Sequence, residues 1–267
     1  MKKLLSAMLA LLLLAGCLLS LASCSASDWK YIEKKGKLTI GYTLFAPMDY
    51  MEGETLTGFE VEFGKAVCEI LGVEAEFQII EWDSKTTELN SKNIDCIWNG
   101  MTIDDDRKQA MGISTPYMQN NQVLVVKAEN ADVYTSAEAL AGKSLVAEAK
   151  SAGESTAKSE AMFAQANYTA VDTQSKALME VASGTADACI VDYVTSIGMI
   201  GEGTSYENLK VVQKFAEEEY GIGFRKEDTE LLAKVNEAIQ TLANNGKLAE
   251  IAEKYGLEDL LLVKPAN

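Results

Sequence analysis

The sequence predicts an α/β protein organised as two lobes, each a mainly parallel sheet flanked by helices. Three observations predict it. Short β-branched runs alternate along the chain with segments of helical spacing. The 267 residues make either one large domain or two lobes of roughly 100–150 residues, each able to bury a core. One helix-turn-strand passage also recurs: Leu89, Ser91 and Asp95 lead into Cys96 and Ile97 as Val181, Ser183 and Asp187 lead into Ala188, Cys189 and Ile190. Such an echo is either the common look of any helix-turn-strand unit or the trace of two similar lobes with a ligand crevice between them. Asp95 and Asp187 read as turn or cap residues.

Taken in order, Lys37–Tyr42 reads as a strand from its β-branched content. Residues 58–71 read as a helix, with Phe59, Phe63, Val67 and Ile70 at helical spacing and Gly72 as its stop. Strand character resumes over 75–80, a helix follows over 84–89, strands over 94–98 and 122–126, and a helix over 137–140. The segments 229–244 and 247–255 are amphipathic helices expected to pack on the first lobe. Three prolines in the whole chain fit compact elements with short connections.

Composition then excludes whole classes of chemistry. At 48% hydrophobic and 24% charged residues the chain is too apolar for disorder. With 24 Lys and Arg against 40 Asp and Glu, a net charge of −16, it is a poor electrostatic match for nucleic-acid phosphates, and no nucleic-acid partner is expected. Histidine is absent, which removes every Ser-His-Asp, Cys-His and His-metal scheme. No metal site or cofactor site stands out, and the scattered carboxylates read as a solvated surface.

The N-terminus is a targeting segment. Lys2 and Lys3 precede an uncharged, Leu- and Ala-rich stretch over 4–22, the layout of a secretory signal peptide. Leu14-Ala15-Gly16-Cys17 and Leu21-Ala22-Ser23-Cys24 both resemble a bacterial lipoprotein cleavage site. Cys24 is the better choice because polar Ser25, Ser27 and Asp28 follow it, whereas Cys17 is followed by more apolar chain. Residues 1–23 are then the signal peptide and 24–35 a lipid-anchored linker. An uncleaved membrane anchor is the alternative, since ~20 apolar residues span a bilayer. Both place the body of the protein outside the cytoplasm at a membrane surface. Loss of 1–23 leaves 22 basic and 40 acidic residues, a net charge of −18. Cys68, Cys96 and Cys189 lie in apolar contexts and read as buried inert thiols rather than a disulfide framework.

Four motifs in order carry a resemblance. Leu44-Phe45-Ala46-Pro47-Met48, Leu56-Thr57-Gly58-Phe59-Glu60-Val61, Asn99-Gly100-Met101-Thr102 with Asp104-Asp105-Asp106-Arg107, and Ser114-Thr115-Pro116-Tyr117 resemble the signature of polar amino-acid-binding proteins of ABC transporters, solute-binding family 3. The likeness runs from about Gly36 to the C-terminus. It implies a two-lobed, type II periplasmic-binding-protein fold joined by a two-strand hinge, and a monomer that captures a free amino acid and delivers it to a membrane permease.

The resemblance also implies site residues, and their chemistry agrees with it. A free amino acid carries an α-carboxylate and an α-ammonium, so its binder needs a planar cation and an anion facing each other across a desolvated cleft. Arg107 is the carboxylate clamp; its bland alternative is a surface helix cation beside three aspartates. Thr102 resembles the family's flanking hydroxyl, and backbone groups of Gly100 and Met101 would reach the ligand. Asp192, in the run from Asp187 to Tyr193, resembles the terminal Asp of the family's strand that binds the α-ammonium; otherwise it is a helix N-cap. Phe45 and Trp82 fall where the family places rings over the ligand, or else belong to the core. The loop from Ala147 to Gly153 occupies the place of a Gln-x-Gly-Ser/Thr-Thr loop, with Ser151 and Ala152 offering backbone N–H groups to the carboxylate.

That loop departs from the pattern: Glu148 replaces Gln or Lys, Lys150 replaces Gly, and Ala152 replaces a hydroxyl residue. Glu148, with Asp83 nearby, favours a ligand bearing a second positive group or donor, such as a basic amino acid or cystine, unless its carboxylate faces solvent. Chain crossings near 119–124 and 209–214 imply a first lobe of 28–121 and 214–267 and a second of 122–213, closing on the ligand. The competing class is an enzyme on the same scaffold, similar to cyclohexadienyl dehydratase, with Glu148 as general acid. A sensory binding domain is a third reading without specific sequence support.

Overall fold

The computed structural model describes residues 28–266; the signal segment and the proposed lipidation at Cys24 lie outside them. The described chain opens with α1 (Asp28–Lys35), β1 (Lys37–Tyr42), a hairpin of β2 (Tyr50–Glu52) and β3 (Thr55–Thr57), α2 (Phe59–Leu71) and β4 (Glu74–Ile79). Next come α3 (Lys85–Asn90), β5 (Cys96–Ile97), α4 (Asp105–Ala110), β6 (Gly112–Ile113) and the long β7 (Met118–Lys127). After it lie α5 (Ala137–Leu140), β8 (Ser144–Glu148), α6 (Ala152–Ser159), β9 (Asn167–Val171), α7 (Gln174–Ser183), β10 (Ala188–Asp192) and α8 (Tyr193–Met199). The chain returns through β11 (Leu209–Tyr220) and β12 (Gly223–Phe224), then α9 (Thr229–Asn244) and α10 (Lys247–Lys254).

Two five-stranded sheets result, ordered β4-β1-β5-β12-β6 and β11-β7-β10-β8-β9. In each, three strands run parallel, β4-β1-β5 and β10-β8-β9. Antiparallel strands complete each sheet, β12 and β6 in the first and β7 and β11 in the second. β7 and β11 pair with each other from Leu209↔Lys127 to Tyr220↔Met118, with register shifts at Val211/Gln213 and Lys214/Glu217. One end of this ribbon, Met118 and Tyr220, belongs to the first sheet's core, and the other, Val123, Val125 and Leu209, to the second's.

The recurring passage has the same function in both sheets. Asp95 accepts the Thr39 N–H of β1 (2.8 Å) while its own N–H donates to the Thr39 carbonyl (2.8 Å). Asp187 does the same with Ser144 of β8 (2.9 and 3.1 Å). Both aspartates therefore clip the start of one parallel strand to the start of its neighbour, which is why they recur.

Local chemistry explains the boundaries. α2 buries Phe59, Phe63 and Val67 and stops at Gly72, whose φ of 71° is the left-handed cap a glycine takes freely. Its stripe ends at Cys68 rather than Ile70, which is 42% exposed, so the expected fourth apolar contact is not made. Phe59 and Phe63 pack with Tyr117 and Trp98, and α9 covers the same core with Leu231, Val235 and Ile239. The predicted helix over 84–89 begins instead with a 3-10 turn at Trp82–Ser84, and the strand over 94–98 is paired only at Cys96–Ile97. Cys68, Cys96 and Cys189 are buried free thiols, and burial alone pushes Cys68 up to about 12.

Candidate functional site

Between the two sheets lies a narrow cleft. One wall is Trp82, Asn99, Gly100, Thr102 and Arg107; the other is Glu148, Ser151, Ala152, Gln174 and Asp192. Eight of these ten are residues singled out from the sequence.

The first wall is built where β5 ends. Gly100 sits at φ +53°, and a Cβ there would stand 2.7 Å from the Phe45 ring and 3.2 Å from that of Tyr220. Both the backbone and the space demand glycine. Its N–H donates to both oxygens of buried Glu60 (2.9 and 3.0 Å), which also accepts the Tyr117 hydroxyl. Asn99 is fixed by two bonds to Thr43 (2.6 and 2.8 Å). Asp104 caps α4 by accepting the Arg107 N–H (2.7 Å). The Arg107 side chain folds inward, its Nη1 donating to the Thr102 carbonyl (2.5 Å) and lying 3.2 Å from Asp104 Oδ2. At 9% exposure, Arg107 is a cleft residue and not a surface cation.

Lys85 is a second cation on this side and was not foreseen. It lies 4.3 Å above the Trp82 ring and donates to the carbonyls of Trp82 (3.0 Å) and, across the cleft, Lys150 (3.2 Å). Burial brings it down to about 8.

The second wall comes from strand ends and helix starts. Asp192 occupies the N-cap position of α8 but makes no capping bond. Its carboxylate instead accepts the amides of Asn120 (2.8 Å), Gln122 and Gln174, and burial raises its pKa. Ser151 caps α6, accepting from the Glu154 N–H (3.1 Å) and donating to the Glu148 carbonyl (2.7 Å). Its own N–H also goes to Glu148 O (3.3 Å), so of the two amides expected to receive a carboxylate only that of Ala152 stands at the open first turn. Lys150 takes φ 53°, the left-handed conformation that the family's glycine would adopt freely.

Glu148 ends β8 at 5% exposure, and its carboxylate has no hydrogen bond or ion pair among the described residues. Burial and the nearby Asp192 push it up to about 8, against the pull of Lys85 and Arg107. It lines the cleft and does not face open solvent.

Three expectations are not met in detail. Phe45 lies in the first core, behind Gly100 rather than over the cleft. Met101 is wholly buried with Ile97 and Met111, and its carbonyl is held by the Gly221 N–H (2.9 Å). Asp83 is exposed and does not line the cleft. Asn99, Gln174 and Lys85 are not assigned to the site from sequence; Asn99 opens one of the quoted motifs, while nothing local distinguishes the other two. The resulting polarity is simple: cations Arg107 and Lys85 on one wall, carboxylates Glu148 and Asp192 on the other.

Two α/β lobes with a cleft between them are the architecture of the type II periplasmic-binding-protein fold. The model of the bacterial extracellular solute-binding proteins, family 3, matches residues 38–258, and the chain belongs to this family. The arginine-binding extracellular protein ArtP of Bacillus subtilis is 30% identical over 92% of this chain and 96% of its own length. The L-cystine-binding protein TcyJ of Escherichia coli is 29% identical over 84% of each. A Streptococcus pneumoniae ABC uptake substrate-binding protein with bound histidine is similar in structure, with a TM-score of 0.79 and 31% identity over 89% of this chain and 99% of that one.

Proposed function

We propose that the protein is the substrate-binding component of an amino-acid ABC transporter, and that it binds a polar amino acid bearing a second cationic group. The observation that carries this is the placement of Arg107 and Asp192 on opposite walls of one buried cleft. A guanidinium fork suits the α-carboxylate and a desolvated carboxylate suits the α-ammonium. Relatives named for arginine and cystine binding, and one holding histidine, support the class.

Glu148 supports the finer reading. A buried carboxylate without a partner is costly, and a ligand cation in the cleft relieves that cost. The lobes are 28–121 with 214–267, and 122–213; β7 and β11 form the hinge between them, and closure gives the permease a shape to recognise. Cleavage before Cys24 and its lipidation hold a monomer at the outer membrane face or in the periplasm. The protein returns its ligand unchanged and is not an enzyme.

The test is a thermal-shift panel on residues 25–267, unfolded and refolded to strip carried-over ligand, with the twenty amino acids, cystine, ornithine and prephenate-like acids. A ligand at 100 times its Kd adds about 2.7 kcal/mol. The reading expects a shift with a small basic group, lost in Arg107→Ala. Shifts only with the non-amino acids would favour the dehydratase-like alternative.

A further inference from the structure

We propose that Glu218 is a positioning residue of the cleft, forming with Asp192 a carboxylate pair that shares one proton and releases it to solvent when a ligand ammonium arrives. The inference rests on the reading of the cleft as an amino-acid site and adds a residue and a proton to it.

The geometry is a double bridge. Asn120 Nδ2 lies 2.8 Å from Asp192 Oδ1 and 2.6 Å from Glu218 Oε1. Gln122 Nε2 bonds the same two oxygens, at 2.7 Å from Glu218. A primary amide has two hydrogens, so both hydrogens of both amides join one oxygen of each carboxylate. Two carboxylates gathered on the same donors, Asp192 buried and Glu218 half-buried, disfavour double ionisation, and one of them keeps a proton unless a cation intervenes.

No cation among the described residues intervenes. Among the described residues neither Asp192 nor Glu218 has an ion pair: Arg107 turns to Asp104, and Lys85 to two carbonyls. Glu148 adds a third carboxylate, on the same wall as Asp192. Glu217 and Glu219 flank Glu218 on β11 but are exposed, and Lys214 of that strand stacks on Tyr193. Behind the pair the Tyr220 ring is wholly buried, with its hydroxyl toward Asp192. Burial, with Asp192 adjacent, pushes Glu218 up to about 7. A ligand ammonium at Asp192 supplies the missing positive charge and makes the shared proton superfluous.

Glu218 also connects the walls. It accepts the Thr102 hydroxyl (3.0 Å) from the first, while the amides it orients hold Asp192 on the second. One side chain on a crossing strand thus sets the separation of the two groups that meet the ligand.

The experiment counts protons. L-arginine is titrated calorimetrically into the refolded protein at pH 6.5 in phosphate and in imidazole, buffers of different ionisation enthalpy. A group with a midpoint near 7 is about three quarters protonated at pH 6.5. Wild type is therefore expected to release about three quarters of a proton more per ligand than Glu218→Gln, and its affinity to rise more steeply between pH 5.5 and 6.5. A purely structural Glu218 would lower the melting temperature of the variant and leave the proton count equal, which overturns the proposal. If Glu218→Gln does not fold, Glu148→Gln decides alone: with the other raised carboxyl removed, binding without proton release overturns the proposal and continued release supports it. Binding of no amino acid at all overturns the amino-acid reading, and this proposal with it.

Discussion

Gly198 is the position where a single methyl group separates closure from folding. It lies on α8, in the second lobe, and a Cβ there would stand 2.7 Å from Pro47 Cδ, 2.8 Å from Pro47 N and 3.1 Å from the Ala46 carbonyl carbon, all in the first lobe. Ordinary contact begins at about 3.4 Å, and two of these atoms are backbone, so the methyl group of Gly198→Ala cannot be absorbed by rotating a side chain. Overpacking of this kind costs ~1–3 kcal/mol. In the proposed hinge motion, opening carries α8 away from the Ala46–Pro47 turn, so the strain exists only while the lobes are together. Nearly all of the cost therefore falls on the closed form, and ligand affinity drops about 5- to 150-fold. The assay is calorimetric titration of refolded wild type and Gly198→Ala, with the melting temperature of each ligand-free protein as control. An affinity within twofold of wild type would refute the argument, and so would an equal loss of stability without ligand.

Three further substitutions test other parts of the account. Arg107→Ala removes the carboxylate clamp and is expected to weaken amino-acid binding by at least ~30-fold, as removal of one partner of a buried charge pair does, measured by titration. Glu148→Gln should flatten the ranking between arginine and glutamine in the thermal-shift panel; an unchanged ranking contradicts its role in selectivity. Asp49 is wholly buried beside Glu60, and burial together with the charge of Glu60 holds its pKa well above the ordinary value. A raised carboxyl stabilises fully below its unfolded value near 4 and loses that contribution as pH climbs toward its folded value. Asp49→Asn should therefore gain stability relative to wild type on going from pH 5 to pH 8, read as melting temperatures, and parallel pH profiles would contradict this.

Much of the fold is legible because local signals agree with one another. The spacing of Phe59, Phe63 and Val67 and the stop at Gly72 describe α2 within one residue, and the C-terminal amphipathic patterns give α9 and α10 equally closely. The first four residues of β7 and the last seven of β11 carry no such signal. Gln119, Asn120 and Asn121 are poor strand formers, and the run from Lys214 to Glu219 reads as a solvated surface. They are strands because they pair with each other and because Asn120, Gln122 and Glu218 are satisfied by Asp192 and Thr102, partners distant in sequence. The cleft follows the same division. Arg107 and Thr102 belong to an ordered motif and Asp192 to a further matching run, whereas Lys85, Gln174 and Glu218 look like ordinary surface polar residues until tertiary structure buries the first two and bonds the third to Asn120 and Gln122.

The central claim is that opposite walls grip the two charges of one zwitterion. Calorimetric titration with L-arginine, with agmatine, which lacks the carboxylate, and with 5-guanidinopentanoic acid, which lacks the α-ammonium, tests it most directly. The account predicts measurable binding of L-arginine and at least ~30-fold weaker binding of each analogue, agmatine losing nothing more in Arg107→Ala. Equal binding of the three would contradict it.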